Sequence, residues 1–118
     1  MESKKKGEIG EQKALEYLRK KGYRLVHRNY RCRFGEIDLI VSRKKKLVFV
    51  EVKSGKADFI EPFQRVNKNK LRKIIYAINY YLVNEKVAQK FHSYQLDVVS
   101  VHDDGVIKHF EDVLNFEM

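Results

Sequence analysis

The sequence predicts an α/β fold: a central mixed β-sheet flanked by helices, in the order α-β-β-β-α-β-β. Two segments place apolar residues at three- and four-residue spacings, and between and after them lie short runs rich in Val, Ile and Phe. The chain has 118 residues, 43% of them hydrophobic, with seven Tyr and seven Phe. That is enough for one core and too little for two ordinary domains, so residues 1–118 read as a single domain.

Gly7 to Lys21 reads as the first helix, with Glu11, Ala14, Leu15 and Leu18 on one face and Gly22 placed to end it. Tyr23 to Asn29 is a short, weakly alternating strand, and Cys32 to Gly35 a turn into the next. Glu36 to Val41 and Leu47 to Lys53 then form a hairpin. If Arg43-Lys44-Lys45-Lys46 is a symmetric four-residue loop, Asp38 faces Glu51 and Glu36 faces Lys53. Because side chains alternate along a strand, all four then share one face. Ser54 to Phe63 holds Gly55 and the only proline, Pro62, and reads as a loop. The second helix carries an apolar stripe of Leu71, Ile74, Ile75, Ile78 and Leu82. Its first turns are crowded by Lys68, Lys70, Arg72 and Lys73, against the sign its dipole prefers, a conflict that a bound phosphate would relieve. Tyr94 to Val101 and Val106 to Phe110 are late strands turned by Asp103-Asp104-Gly105.

Charge narrows the function. The net charge is +9, and it is uneven: residues 1–73 hold 22 basic and 9 acidic side chains, residues 74–118 only 3 basic and 7 acidic. A basic half of this kind attracts a polyanion, and phosphate contacts supply most sequence-independent affinity for DNA or RNA. Candidate phosphate contacts are Arg31, Arg33, Arg43, Lys44, Lys45, Lys46, Lys56, Lys68, Lys70 and Lys73. The plain alternative is a solvated basic surface. There is no apolar run long enough for a membrane span and no signal region, and Cys32 is the sole cysteine, so a reduced cytoplasm is expected.

Two carboxylates facing each other across a ladder repel, so Asp38 and Glu51 call for compensation. Mg²⁺ provides it, taking carboxylate oxygens while keeping waters for a substrate phosphate. Lys53, on the same face, is placed to stabilise charge on that phosphate or to orient the attacking water. The competing reading is a Glu36–Lys53 cross-strand salt bridge with solvated acids nearby.

Glu11 on the first helix, Gly35-Glu36-Ile37-Asp38-Leu39-Ile40 and Phe49-Val50-Glu51-Val52-Lys53 together resemble the PD-(D/E)xK nuclease superfamily. With Gly7-x-x-Gly10-Glu11, Lys70, Ala77 and Asp97-Val98-Val99, the chain is similar, from Gly7 to about Val113, to the YraN-like family, itself similar to archaeal Holliday-junction resolvases. The resemblance implies a restriction-endonuclease-like core. In it Asp38, Glu51 and the Val52 carbonyl would bind Mg²⁺, with Mn²⁺ as a substitute, Lys53 would be the catalytic lysine, and Glu11 a further acid at the site. For Glu11 the alternative is an exposed acid favoured by the helix dipole. Ser54-Gly55-Lys56, Phe59-Ile60 and Gln95-Leu96-Asp97 depart from the family's usual residues and spare these ligands.

The four histidines lack metal-pair spacing and are expected on the surface or in the sheet. Tyr76, Tyr80 and Tyr81 are expected as core or rim. Tyr30 and Phe34, interleaved with Arg28, Arg31 and Arg33, are candidates for base stacking or for core packing. The expected function is a metal-dependent endonuclease acting on DNA, including branched or junction DNA, with a homodimer suited to cutting two strands. A silent nucleic-acid-binding module and an RNA-directed nuclease are the alternatives.

Overall fold

The computed structural model describes residues 2–55 and 68–114. They form α1 (Glu2–Lys20), β1 (Arg24–Cys32), β2 (Gly35–Arg43), β3 (Lys46–Gly55), α2 (Lys68–Asn84), a 3₁₀ helix (Lys86–Lys90), β4 (Ser93–His102) and β5 (Ile107–Phe110). The fold is mixed α/β. Apart from the added 3₁₀ helix, the order is the one expected. Ser54 and Gly55, expected in a loop, extend β3, and the rest of that expected loop, residues 56–63, lies outside the described residues.

The five strands lie in sequence order across one sheet. Neighbours run antiparallel except β3 and β4, which run parallel from Lys46↔Ser93 to Gly55↔His102, with α2 in the chain between them. β3 is covered on both faces, which explains its near-continuous apolar run. Val48 and Val50 pack towards α1 with Ala14, Leu15, Leu18, Leu39, Val41 and Val99. Leu47 and Phe49 pack towards α2 with Ile37, Ile40, Ile74, Ala77, Ile78 and Tyr81. Gly22 stops α1 at φ +93°, as its position predicts.

Two expectations need correction, and for Tyr30 one of the two stated alternatives holds. The β2–β3 connection has two turn residues, not four: Lys44 and Lys45 both adopt left-handed φ values of 52° and 68°, the conformation of a tight hairpin turn, and Arg43 pairs with Lys46. The symmetry of the ladder is unchanged, so Ser42 still faces Leu47. β1 runs on to Cys32 through Asn29, whose φ of 57° slips the facing of the strand by one residue. Arg28 therefore turns to α1, whereas both His27 and Tyr30 meet the Tyr81 ring of α2 edge-on. Tyr30 is consequently a core residue and no stacking platform, its ring 4.8 Å from that of Tyr81.

Candidate functional site

β2 and β3 diverge after Leu39↔Val50, while β3 continues against β4 through Glu51↔Val98 and Lys53↔Ser100. Asp38 and Glu51 are thus not the ladder partners that hairpin symmetry predicts. The strands splay where the two would have met. The Val52 N–H is left without a strand partner on the β2 side, and it donates instead to Asp38 Oδ2 at 2.8 Å. The slip at Asn29 helps to open this fork, since Ile37 turns into the α2 core and leaves the Asp38 carboxylate at the gap.

The fork opens into a cleft of about 370 Å³ whose lining includes Glu36, Asp38, Glu51, Val52, Lys70 and Lys73. Glu51 is nearly buried, its side chain 12% exposed, and Lys70 from the first turn of α2 reaches it at 3.7 Å. Burial raises the Glu51 pKa first and the Asp38 charge raises it further, to about 8, against the pull of Lys70 and Lys53. Asp38 is also raised by burial, restrained by the Val52 N–H and by its hydrogen bond with Glu51. Both carboxyls are thus pushed towards their protonated forms, Glu51 the further of the two. Lys53 is held below the usual lysine range, by burial first and then by its neighbour Lys70. Two acids and two lysines therefore share one small, dry space.

Glu11 approaches from the α1 side. Gly10 makes this possible, because a Cβ there would collide with the Ser54 hydroxyl of β3. Burial and then the Asp38 charge raise the Glu11 pKa, while Asn29 and Arg28 favour its ionised form, with Arg28 Nε at 4.0 Å. Glu11 is neither a freely exposed dipole acid nor detached from the cleft. Glu36 pairs with Arg31 across β1–β2 at 3.4 Å, which does not favour the competing reading of a Glu36–Lys53 bridge.

The basic residues divide into two groups. Lys70 and Lys73 line the cleft, and Arg31 and Arg33 stand at the adjoining β1–β2 turn. Arg43 to Lys46 lie at the far end of the hairpin, beginning five residues or ~17 Å along β2 from Asp38. There Arg43 stacks over Tyr23 at 4.3 Å and donates to the Lys21 carbonyl, and Lys46 donates to Gln95. Lys68 opens α2, and Lys56 lies outside the described residues.

Two features escape sequence reading. The sequence offers Lys70 as a phosphate contact only, although its place in a helix after β3 is a hint that it could return to Glu51. Asp97, fully buried, accepts from Gln95, from the Asp112 N–H and from His109 Nε2 at 2.7 Å, while His109 Nδ1 meets the Tyr17 hydroxyl at 3.2 Å. This network ties β5 and α1 to β4. Among the described residues no three His, Cys, Asp or Glu side chains form a metal ligand set by themselves, and no helix is long and apolar enough to cross a membrane.

The chain is 50% identical over 103 residues to a UPF0102 protein of Pseudothermotoga lettingae, covering 87% of this chain and 92% of that one. It is 39% identical over 111 residues to a UPF0102 protein of Fervidobacterium nodosum, covering 94% and 83% respectively. With a UPF0102 protein of Kosmotoga olearia it shares 41% over 111 residues, 94% of each chain. A solved structure of Pyrococcus furiosus SfsA in complex with Ca²⁺ aligns with a TM-score of 0.38 at 15% identity, over 92% of this chain and 63% of that one. The family model described as "Uncharacterised protein family UPF0102" matches residues 10–101, and the chain belongs to that family.

Proposed function

We propose that this UPF0102 protein is a metal-dependent endonuclease with a restriction-endonuclease-like core, hydrolysing phosphodiester bonds in DNA and suited to branched or junction substrates. One observation carries the reading. Asp38 and Glu51 converge at the fork between β2 and β3, Asp38 fixed by the Val52 N–H at 2.8 Å and Glu51 nearly buried with Lys70 at 3.7 Å, and their closeness and burial raise both carboxyl pKa values. A fold gains no stability by pressing two acids together; a hard cation between them makes the arrangement useful.

The donor set fits Mg²⁺. This ion is commonly held by one or two carboxylates, with the remaining positions left to water and phosphate, so Asp38, Glu51 and the Val52 carbonyl suffice without a third acidic side chain. When bound, the ion supplies charge neutralisation and Lewis-acid polarisation at the phosphate. The chain's own groups do the rest. The Val52 N–H fixes the Asp38 carboxylate. Lys53, with its lowered pKa, is poised either to take a proton from the attacking water or to stand as a cation against the phosphate. Lys70 and Lys73 steer the phosphate into the cleft. Glu11 borders the site from α1 as a positioning acid, and a homodimer would present two such clefts to two strands.

The test is a panel of labelled linear, flapped and four-way-junction DNA and RNA, incubated with Mg²⁺, Mn²⁺ or chelator. Cleavage is expected with metal only, and Asp38→Asn, Glu51→Gln and Lys53→Ala are each expected to abolish it. Cleavage of RNA alone would redirect the proposal to RNA. A second reading, a silent nucleic-acid-binding module, is favoured by Lys70 at 3.7 Å from Glu51 and by the raised carboxyl pKa values, which lessen the charge of the acids without metal. Binding without cleavage of any substrate would select it.

A further inference from the structure

Beside the cleft lies a surface that the hydrolytic reading does not use. Tyr76, Tyr80 and Val83 follow one another at helical spacing along the outer side of α2, exposed by 49, 37 and 77%. Phe34, at the β1–β2 turn, stands edge-on to both tyrosines, 5.9 Å from Tyr76 and 5.7 Å from Tyr80. The four residues, with Asn79 and Asn84, line an open groove of about 400 Å³. That lies within the roughly 300–1,000 Å³ range of ligand sites. Its lining is aromatic and almost wholly apolar. The Arg33 guanidinium lies over the Phe34 ring, 5.0 Å from its centroid.

The groove adjoins the carboxylate cleft. Gly35 and Lys73 line the cleft, while Phe34 and Tyr76, next to them in the turn and one helical turn on in α2, line the groove. The two elements press together at this seam: a Cβ on Gly35 would lie 3.3 Å from the Lys73 carbonyl, and its φ of +156° disfavours any side chain. A strand whose phosphate entered the cleft would pass its next nucleotide over Phe34.

We propose that Phe34, Tyr76 and Tyr80 form a stacking platform for an unpaired nucleobase next to the phosphate held by the cleft. The proposal rests on the nucleic-acid reading of that cleft and narrows its substrate to DNA or RNA with a single-stranded segment. Stacking on an aromatic side chain needs an open base face, which a base inside a duplex lacks. Charge selects this occupant over a second copy of the chain. Arg31, Arg33, Lys70 and Lys73 surround the groove and cleft, and self-association through this surface would set the cations of a +9 protein against one another. A polyanion is complementary to them. The floor binds the base without reading it, so single-strand structure and not sequence is what the site would recognise.

The experiment uses the full-length protein in chelator, so that cleavage plays no role, and measures anisotropy of a labelled single strand, the blunt duplex of the same sequence and that duplex with an overhang. The single strand and the overhang are expected to bind more tightly than the blunt duplex. Phe34→Ala with Tyr80→Ala should weaken both by about ten- to a hundredfold and leave the blunt duplex unchanged. Phe34→Trp and Tyr80→Phe should retain the preference, which separates lost stacking from lost folding. A 2-aminopurine in the overhang should be quenched by the wild type and not by the double variant. Equal binding of all three substrates by wild type and variants would overturn the platform while leaving the cleft's function intact. A sedimentation change from dimer to monomer in the double variant, without loss of single-strand affinity, would assign the groove to self-association instead. Absence of binding to any nucleic acid would remove the nuclease reading along with it.

Discussion

Glu51→Gln is expected to make the metal-free protein more stable at alkaline pH, and the size of the effect follows from burial. The Glu51 carboxyl has an ordinary value of 4.5 and sits at about 8 in the fold. Between these values the folded state holds a proton that the unfolded chain has released, so stability is full below about pH 4.5 and declines as pH rises towards 8. At 1.36 kcal/mol per pKa unit the ceiling is roughly 5 kcal/mol. Water entering an open cleft reduces this to about 1–3 kcal/mol, the pull of Lys70 being already contained in the value of about 8. In a chain of this length that is roughly 5–10 °C in Tm. Gln keeps the shape, and its amide N–H can donate to Asp38 as the protonated acid does. Thermal melts from pH 5 to 9 in chelator should therefore show wild type falling relative to the Gln variant, with the curves meeting at the acid end. Asp38 shifts in the same direction and adds to the wild-type fall. Because all other charges are shared, the difference between the curves isolates the buried pair. A constant difference across the range would refute the raised Glu51 pKa.

Asp38→Asn should hold or tighten metal-free nucleic-acid binding while abolishing cleavage, because it removes a negative charge facing the phosphate; anisotropy in chelator checks this. Arg33→Ala with Lys73→Ala should reduce the slope of log affinity against log salt by about 2, and Lys44→Ala with Lys45→Ala at the distant hairpin tip should change it less. Gly10→Ala should change stability by less than about 1 kcal/mol in chemical denaturation, because the added methyl meets only the rotatable hydroxyl of the exposed Ser54 and Ala is the better helix former. Asp97→Asn should cost about 1.5–3 kcal/mol in the same assay, since it turns a buried acceptor of three hydrogen bonds into a group that must also donate.

The elements were legible because each carried its own period. Ala14, Leu15 and Leu18 mark α1 and Ile74 and Ile78 mark α2 at helical spacing, and the apolar run of β3 betrays a strand covered on both faces. The hairpin register was legible for a subtler reason. A two-residue turn closed by Arg43↔Lys46 and a symmetric four-residue loop impose the same partners on every later rung, so an error in the turn leaves Leu39↔Val50 unaffected. What misleads is the assumption that the ladder continues. Nothing in the local sequence announces that Asn29 takes a left-handed conformation or that the β2–β3 ladder stops at Leu39↔Val50, because the energy that opens the fork comes from Tyr30 and Ile37 entering the core under α2.

The same distinction governs the site. Asp38, Glu51 and Lys53 lie on one hairpin, so their nearness can be reasoned from strand geometry, although the ladder expected to pair Asp38 with Glu51 stops short of them. Lys70 is 19 residues beyond Glu51, and its position depends on α2 crossing the sheet with its first turn over the fork. The Phe34–Tyr80 contact depends on the same packing, so the aromatic pair that sequence spacing favours, Tyr30 with Phe34, is divided between core and surface. One placement of α2 thus supplies the cation beside the acids, the seam at Gly35–Lys73 and the exposed aromatic groove. A substitution that shifts α2, such as Gly35→Ala, is expected to disturb both sites together, whereas Phe34→Ala removes only the groove. Comparing the two by metal-free binding and by Glu51-dependent thermal stability distinguishes a shared scaffold from two unrelated surface features. Gly35→Ala should alter both readouts, and loss of only one would show that cleft and groove are positioned independently.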